Sequence, residues 1–161
     1  MKKEEYKFSF EVYDSIEELG KDDAWLLEEA RAVTEQAYAP YSNFLVGAVA
    51  KMANGEIVAG TNQENASFPA GLCAERVVLA AAASLYPNVP IEAIAISYQS
   101  AAAPSDQPIA PCGICRQSLQ EFENRANHPI RLVLGGMEGK IYVIPHAGML
   151  LPLAFSAESL K

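Results

Sequence analysis

All three cysteines of this chain fall in two short stretches, Cys73-Ala74-Glu75 and Pro111-Cys112-Gly113-Ile114-Cys115. Any fold that uses them together must bring two segments distant in sequence side by side. An odd number of thiols cannot all pair within one chain. In a reducing compartment, a Cys-x-x-Cys with a third Cys more often binds metal or does redox work than staples a fold. Thiolates are natural zinc ligands, and three protein ligands leave one tetrahedral position open, the count of a catalytic site. His128 and His146 have no ligand-like spacing to the thiols.

The surrounding residues place these thiols on helix ends. Pro69 and Gly71 break the chain before Cys73, and strong helix formers run from there to Tyr86. Val78, Ala81, Ala82 and Leu85 recur on one helical face. Pro111 opens a second helix in the first-turn region where proline is tolerated. Its Cys112, Cys115, Leu119 and Phe122 lie on roughly one face. Three thiolates leave a net charge of about −1 on zinc. The partial positive charge of two helix N-termini offsets it. Arg76 is close enough to donate to ligand sulfurs and ease the same charge; the alternative is an arginine paired with a surface carboxylate. Glu75, two residues after a ligand, points beside the metal rather than onto it. A carboxylate there can take a proton from a metal-activated water and deliver it elsewhere. Taken alone, Glu75 reads as a first-turn residue favoured by the helix dipole.

The rest of the chain alternates helix and strand signals. Tyr6, Phe8, Phe10 and Val12 alternate with polar residues, which suits a strand or an arm that orders against a partner chain. Asp22 or Asp23 can cap a helix whose apolar face is Leu26, Ala30, Val33 and Ala37, stopped by Pro40. Phe44 to Ala50 and Glu56 to Thr61 read as a hairpin around Asn54-Gly55. The polar cluster Asn62-Gln63-Glu64-Asn65 follows at a strand end, a position from which side chains contact ligands or simply face solvent. Further strands are expected at 91–98, 130–134 and 140–144, with a short helix over 150–160. This order implies an α/β layered domain with helices covering a mixed sheet. Residues 1–20 read as an N-terminal extension, an extra strand or an arm, and residues 21–161 as one domain.

Composition excludes several partners. Net charge is −8, which repels a phosphate backbone and makes nucleic acid a poor partner. No apolar run is long enough to span a bilayer. The charged start Met1-Lys2-Lys3-Glu4-Glu5 is not followed by the apolar core of a secretory signal. A cytoplasmic location is therefore the expectation.

Cys-Ala-Glu followed by Pro-Cys-x-x-Cys, each opening a helix of an α/β domain, resembles the zinc-dependent nucleoside and nucleobase deaminases, including their three-Cys variant. Within them the chain is similar to the short, homotetrameric cytidine deaminases, from about residue 24 to 158. The likeness includes Tyr38 to Phe44, Val46-Gly47-Ala48, Asn62 to Ala66, Cys73 to Arg76, Pro111 to Gln117 and Leu150 to Ser156. It implies a three-layer α/β/α fold with a mixed, about five-stranded sheet, and one zinc per chain on Cys73, Cys112 and Cys115. Glu75 would relay protons from the activated water to the pyrimidine ring and the departing amine. Asn62 and Glu64 would hold the ribose hydroxyls. Phe44 would pack near ribose and base, the Ala74 backbone would contact the base, and Arg76 would ease the three-thiolate charge. Phe155 matches an aromatic that a neighbouring subunit supplies over the base. Leu153 stands where the family usually has Gly.

The implied reaction is hydrolysis of cytidine and deoxycytidine to uridine and deoxyuridine with release of ammonia, a step of pyrimidine salvage. A carboxylate at Glu64 suits neutral sugar hydroxyls and opposes a phosphate, and a nucleic-acid editor would need a basic groove. Three alternatives stand beside this reading. A deaminase of a cytosine-nucleoside antibiotic of the blasticidin S type shares the size and the three-Cys site. A non-catalytic zinc module leaves the open ligand position and Glu75 unused. A thioredoxin-like redox protein gives the third Cys no task.

Overall fold

A computed structural model describes residues 1–160. Helices α1 (Lys21–Val33), α2 (Ala74–Leu85) and α3 (Gly113–Ala126) cover a six-stranded sheet. Its strands are β1 (Glu11–Tyr13), β2 (Phe44–Met52), β3 (Ile57–Thr61), β4 (Ile91–Ser100), β5 (Arg131–Gly135) and β6 (Ile141–Ile144), in the order β1-β6-β5-β4-β2-β3. Only β4 and β5 run parallel. They are joined through α3, as a parallel pair needs a crossover.

The alternation of side chains sorts the core into two layers. Val49, Ala93, Ala95, Val133, Ile141 and Val143 meet Leu26, Leu27 and Ala30 of α1. Ala48, Ile94, Ile96, Leu132 and Leu134 meet Val78, Leu79 and Ala82 of α2 and Leu119 of α3 on the other face. The expected α/β/α layering is therefore present. Two glycines set how closely the helices approach. A Cβ on Gly47 would collide with the Ala30 carbonyl of α1. One on Gly60 would lie 2.6 Å from the Val78 amide nitrogen of α2. Gly60 pairs with Ala48 and Gly47 with Thr61, so both clearances sit at one end of the β2–β3 ladder.

Three expectations need correction. The sheet has six strands rather than about five, because the N-terminal extension adds β1 at its edge. That strand covers Glu11–Tyr13, not residues 6–12. Glu11 pairs with Val143, so extending the ladder would bring Ser9 opposite Pro145, which has no N–H to offer. Helix α1 is capped by the extended backbone of Gly20, not by Asp22 or Asp23. Those carboxylates lie in the first turn and bind Lys51 (2.9 Å) and Arg131 (2.6 Å) instead. The expected short helix at the end of 150–160 is present as a 3-10 helix, Ala157–Leu160, after another at Ala147–Leu150. No helix among the described residues is long and apolar enough to cross a membrane.

Candidate active site

Helices α2 and α3 begin side by side, and their first residues bring the three thiols together. Cys73 is the N-cap of α2 and Cys112 the N-cap of α3, both in extended backbone, while Cys115 lies in the first turn of α3. Their sulfurs all lie within 4.8 Å of one another. A tetrahedral zinc with sulfurs at about 2.3 Å sets them about 3.8 Å apart. The Cys73–Cys112 separation is 3.8 Å and Cys112–Cys115 3.3 Å, so the donor set fits such an ion with small rotations. No other group of three or more His, Cys, Asp or Glu among the described residues has that proximity. Burial grades from Cys115, fully enclosed, through Cys73 to Cys112, which is exposed. In the bare cluster, hydrogen bonding with the Cys115 thiol brings Cys73 down to about 6, and Arg76 adds to this by its charge. The same hydrogen bonding, with burial, pushes Cys115 well up.

Glu75 is only 6% exposed, yet it lines the cleft beside Cys73 and Cys112. Burial raises its carboxyl above the ordinary value, so it holds a proton more readily than a surface glutamate. That shift is in the direction a group needs to both accept and return a proton. Ala74, at the first position of α2, is fully buried and also lines the cleft. Arg76 makes no side-chain hydrogen bond among the described residues. Its charge acts on the Cys73 thiol, whose pKa it lowers.

The cleft, about 560 Å³, is walled by the start of β2, the end of β3 and the two helix N-termini. Phe44 forms part of the wall and stacks on Tyr98, with ring centroids 4.9 Å apart. Asn62 follows β3 and is tied back to β2: Oδ1 accepts from the Val46 amide and Nδ2 donates to the Phe44 carbonyl, each at 2.8 Å. Glu64 accepts from the Ser42 hydroxyl and the Tyr41 amide, and these bonds hold its carboxyl below the ordinary value. Asn62 and Glu64 thus face the cleft while fixing the β2 start and the turn before it.

Phe155 is set apart from these residues. It is 59% exposed and does not line the cleft of its own chain. Leu153 has φ +57°, the left-handed conformation that favours glycine, and is fully exposed. The backbone there takes a shape that glycine adopts without strain.

Three α3 side chains escaped the sequence reading as site-shaping groups. Arg116 donates from Nε to the Pro111 carbonyl (2.8 Å) and from Nη1 to that of Leu150 (3.1 Å). Gln117 donates to the Phe155 carbonyl at 2.9 Å. Glu123, 8% exposed, accepts from the amides of Ile130, Ala147 and Gly148. Arg116 and Gln117 carried a signal in their position directly after the Cys-x-x-Cys. Glu123 carried none, since a glutamate late in a helix reads as surface.

Residues 20–127 match the family model described as the cytidine and deoxycytidylate deaminase zinc-binding region. A cytidine deaminase of Halalkalibacterium halodurans is 37% identical over 140 residues, 87% of this chain and 98% of that one. The cytidine deaminase of Sporosarcina psychrophila is 37% identical over 136 residues, 84% of this chain and 93% of its own. Among solved structures, cytidine deaminase from Burkholderia pseudomallei superposes with a TM-score of 0.72 at 40% identity. The match covers 85% of this chain and all of the other. With the three thiols and Glu75 gathered at paired helix ends, the chain belongs to the zinc-binding cytidine and deoxycytidylate deaminase family.

Proposed function

We propose that this protein hydrolyses cytidine and deoxycytidine to uridine and deoxyuridine, releasing ammonia, with one zinc held by Cys73, Cys112 and Cys115. The observation that carries the reading is a buried Glu75, its carboxyl raised by that burial, lining the same cleft as the thiol cluster. Zinc, when bound there, supplies an activated water at neutral pH. Glu75 would take one proton from that water and pass it to ring N3, then take the second from the new C4 hydroxyl and pass it to the departing amine, so that ammonia leaves as the C4 carbonyl forms. Its raised affinity for protons suits both halves of that relay. Phe44, stiffened by Tyr98, offers the ribose and base an apolar wall. Asn62 and Glu64 are held by backbone and hydroxyl partners, and each retains hydrogen-bonding capacity for sugar hydroxyls. An ionised Glu64 accepts from a neutral ribose and repels a 5′-phosphate, which favours nucleosides over nucleotides.

The protein acts as a cytoplasmic homotetramer in which Phe155 covers the base in a neighbour's cleft. Its exposure and its absence from its own cleft support this assignment. Ammonia release from cytidine, cytidine 5′-monophosphate and blasticidin S, compared on zinc-loaded protein, tests the substrate assignment. Turnover of cytidine at least about 100-fold more efficient than of either rival is expected, the value of roughly two unfavourable polar contacts. Equal or faster turnover of blasticidin S would replace the assignment with antibiotic inactivation.

A further inference from the structure

The segment that carries Phe155 owes its path to donors and acceptors outside it. Three ties come from α3: Glu123 to the Ala147 and Gly148 amides, Arg116 to the Leu150 carbonyl and Gln117 to the Phe155 carbonyl. The fourth comes from the opposite terminus. Tyr6 donates its phenol O–H to the Met149 carbonyl at 2.9 Å, across 143 residues of sequence. Its position follows from the arm. β1 runs antiparallel to β6, so the chain before it continues past the end of β6 toward the C-terminal turn. Phe10 packs on Tyr142 (4.9 Å between centroids) and Phe8 stacks on Phe10 (5.3 Å). This aromatic row fixes the direction of the arm up to Tyr6. Tyr6 then shares a surface cleft with Leu151, Pro152, Leu153 and Ala154.

Apart from the turn bonds of the Met149 and Leu151 amides and the packing of Leu150 on the core, the braced segment has few resources of its own past Leu151. Pro152, Leu153 and Phe155 are exposed, and Leu153 is in the left-handed region. So exposed, and with one residue strained, the 152–155 end of the stretch samples other paths unless it is fixed from both sides. We infer that Tyr6 is a positioning residue: its bond to Met149 holds the 149–155 segment in the conformation that presents Phe155 to a neighbouring copy's cleft. The inference rests on the role given to Phe155 above. It extends function into the arm, which precedes the region matched by the family model.

The expected signature lies in binding rather than chemistry. If only a fraction of segments present Phe155, apparent affinity falls in proportion to that fraction while Glu75 works unchanged. Loss of one such hydrogen bond corresponds to about a 2- to 10-fold change. Steady-state kinetics on cytidine with zinc-loaded Tyr6→Phe, Phe155→Ala and the double variant test this. Tyr6→Phe is expected to raise KM about 2- to 10-fold with kcat within about twofold of the parent. Phe155→Ala is expected to raise KM at least as much, and the double variant to match Phe155→Ala alone, because the brace then has nothing to present. A parental KM for Tyr6→Phe beside a raised KM for Phe155→Ala would overturn the Tyr6 role and leave that of Phe155 standing. Multiplying effects in the double variant would also overturn it, since Tyr6 would then act by another route. A parental KM for Phe155→Ala would remove the role of Phe155 and the Tyr6 inference with it.

Discussion

Replacing Asn62 by alanine separates two tasks that one side chain performs. The family resemblance implies a sugar-binding role for Asn62, while the structure ties both ends of its amide to β2. Alanine leaves the Val46 amide without its partner on a residue only 9% exposed. An unsatisfied buried donor costs about 1–3 kcal/mol, and the lost bond to the Phe44 carbonyl adds about 1 kcal/mol. The sum is about 2–4 kcal/mol, or roughly 5–15 °C in Tm for a chain of this size. Asn62→Asp gives a finer test. Its carboxylate still accepts from Val46 but sets an acceptor against the Phe44 carbonyl, so about half the loss is expected with a sugar-binding oxygen retained. Urea unfolding and cytidine KM should be measured on all three proteins at one protomer concentration, because association shifts apparent stability. Asn62→Ala should lose both stability and affinity. A stability loss below about 0.5 kcal/mol would refute the bracing role and leave Asn62 as a sugar ligand alone.

Other expectations follow from single residues. In the metal-free protein, burial raises the Glu75 carboxyl, so the native state binds more protons than the unfolded chain above the ordinary glutamate range. Stability from this group therefore falls as pH rises through that window, and Glu75→Gln should stabilise the metal-free chain at pH 7 with a gain that vanishes below about pH 4. Chemical denaturation at the two pH values checks it. Leu153→Gly should stabilise by about 1 kcal/mol by relieving the left-handed residue, read as a rise in unfolding midpoint. Ser97 Oγ is buried without a partner among the described residues, so Ser97→Ala should be neutral or stabilising by up to about 1 kcal/mol, where an ordinary polar truncation would cost stability.

The thiol site was legible because its signals are local. Proline and glycine breaks fixed where α2 and α3 begin, and the spacing of Cys112 and Cys115 within one turn followed from helix geometry. What tertiary pairing decides was not legible. The shift of the first strand to Glu11–Tyr13 depends on Pro145 arriving opposite Ser9, a consequence of register with β6. The second task of Asn62 depends on the β2–β3 register, and a polar strand end does not reveal it. Glu123 became an anchor only because the turn after β6 delivers the Ala147 and Gly148 amides to it. Charge patterning on α3 alone marks it as solvent-facing.

The central claim is that Glu75 moves protons beside a metal held by three thiols and is not itself a ligand. Uridine formation from cytidine and zinc per chain, measured together on Glu75→Ala, test it most directly. One zinc per chain with turnover reduced by at least about 10³-fold is predicted, the upper part of the range for removing a general acid–base. Near-parental turnover would contradict the proton role. Loss of zinc along with activity would make Glu75 part of the metal site instead.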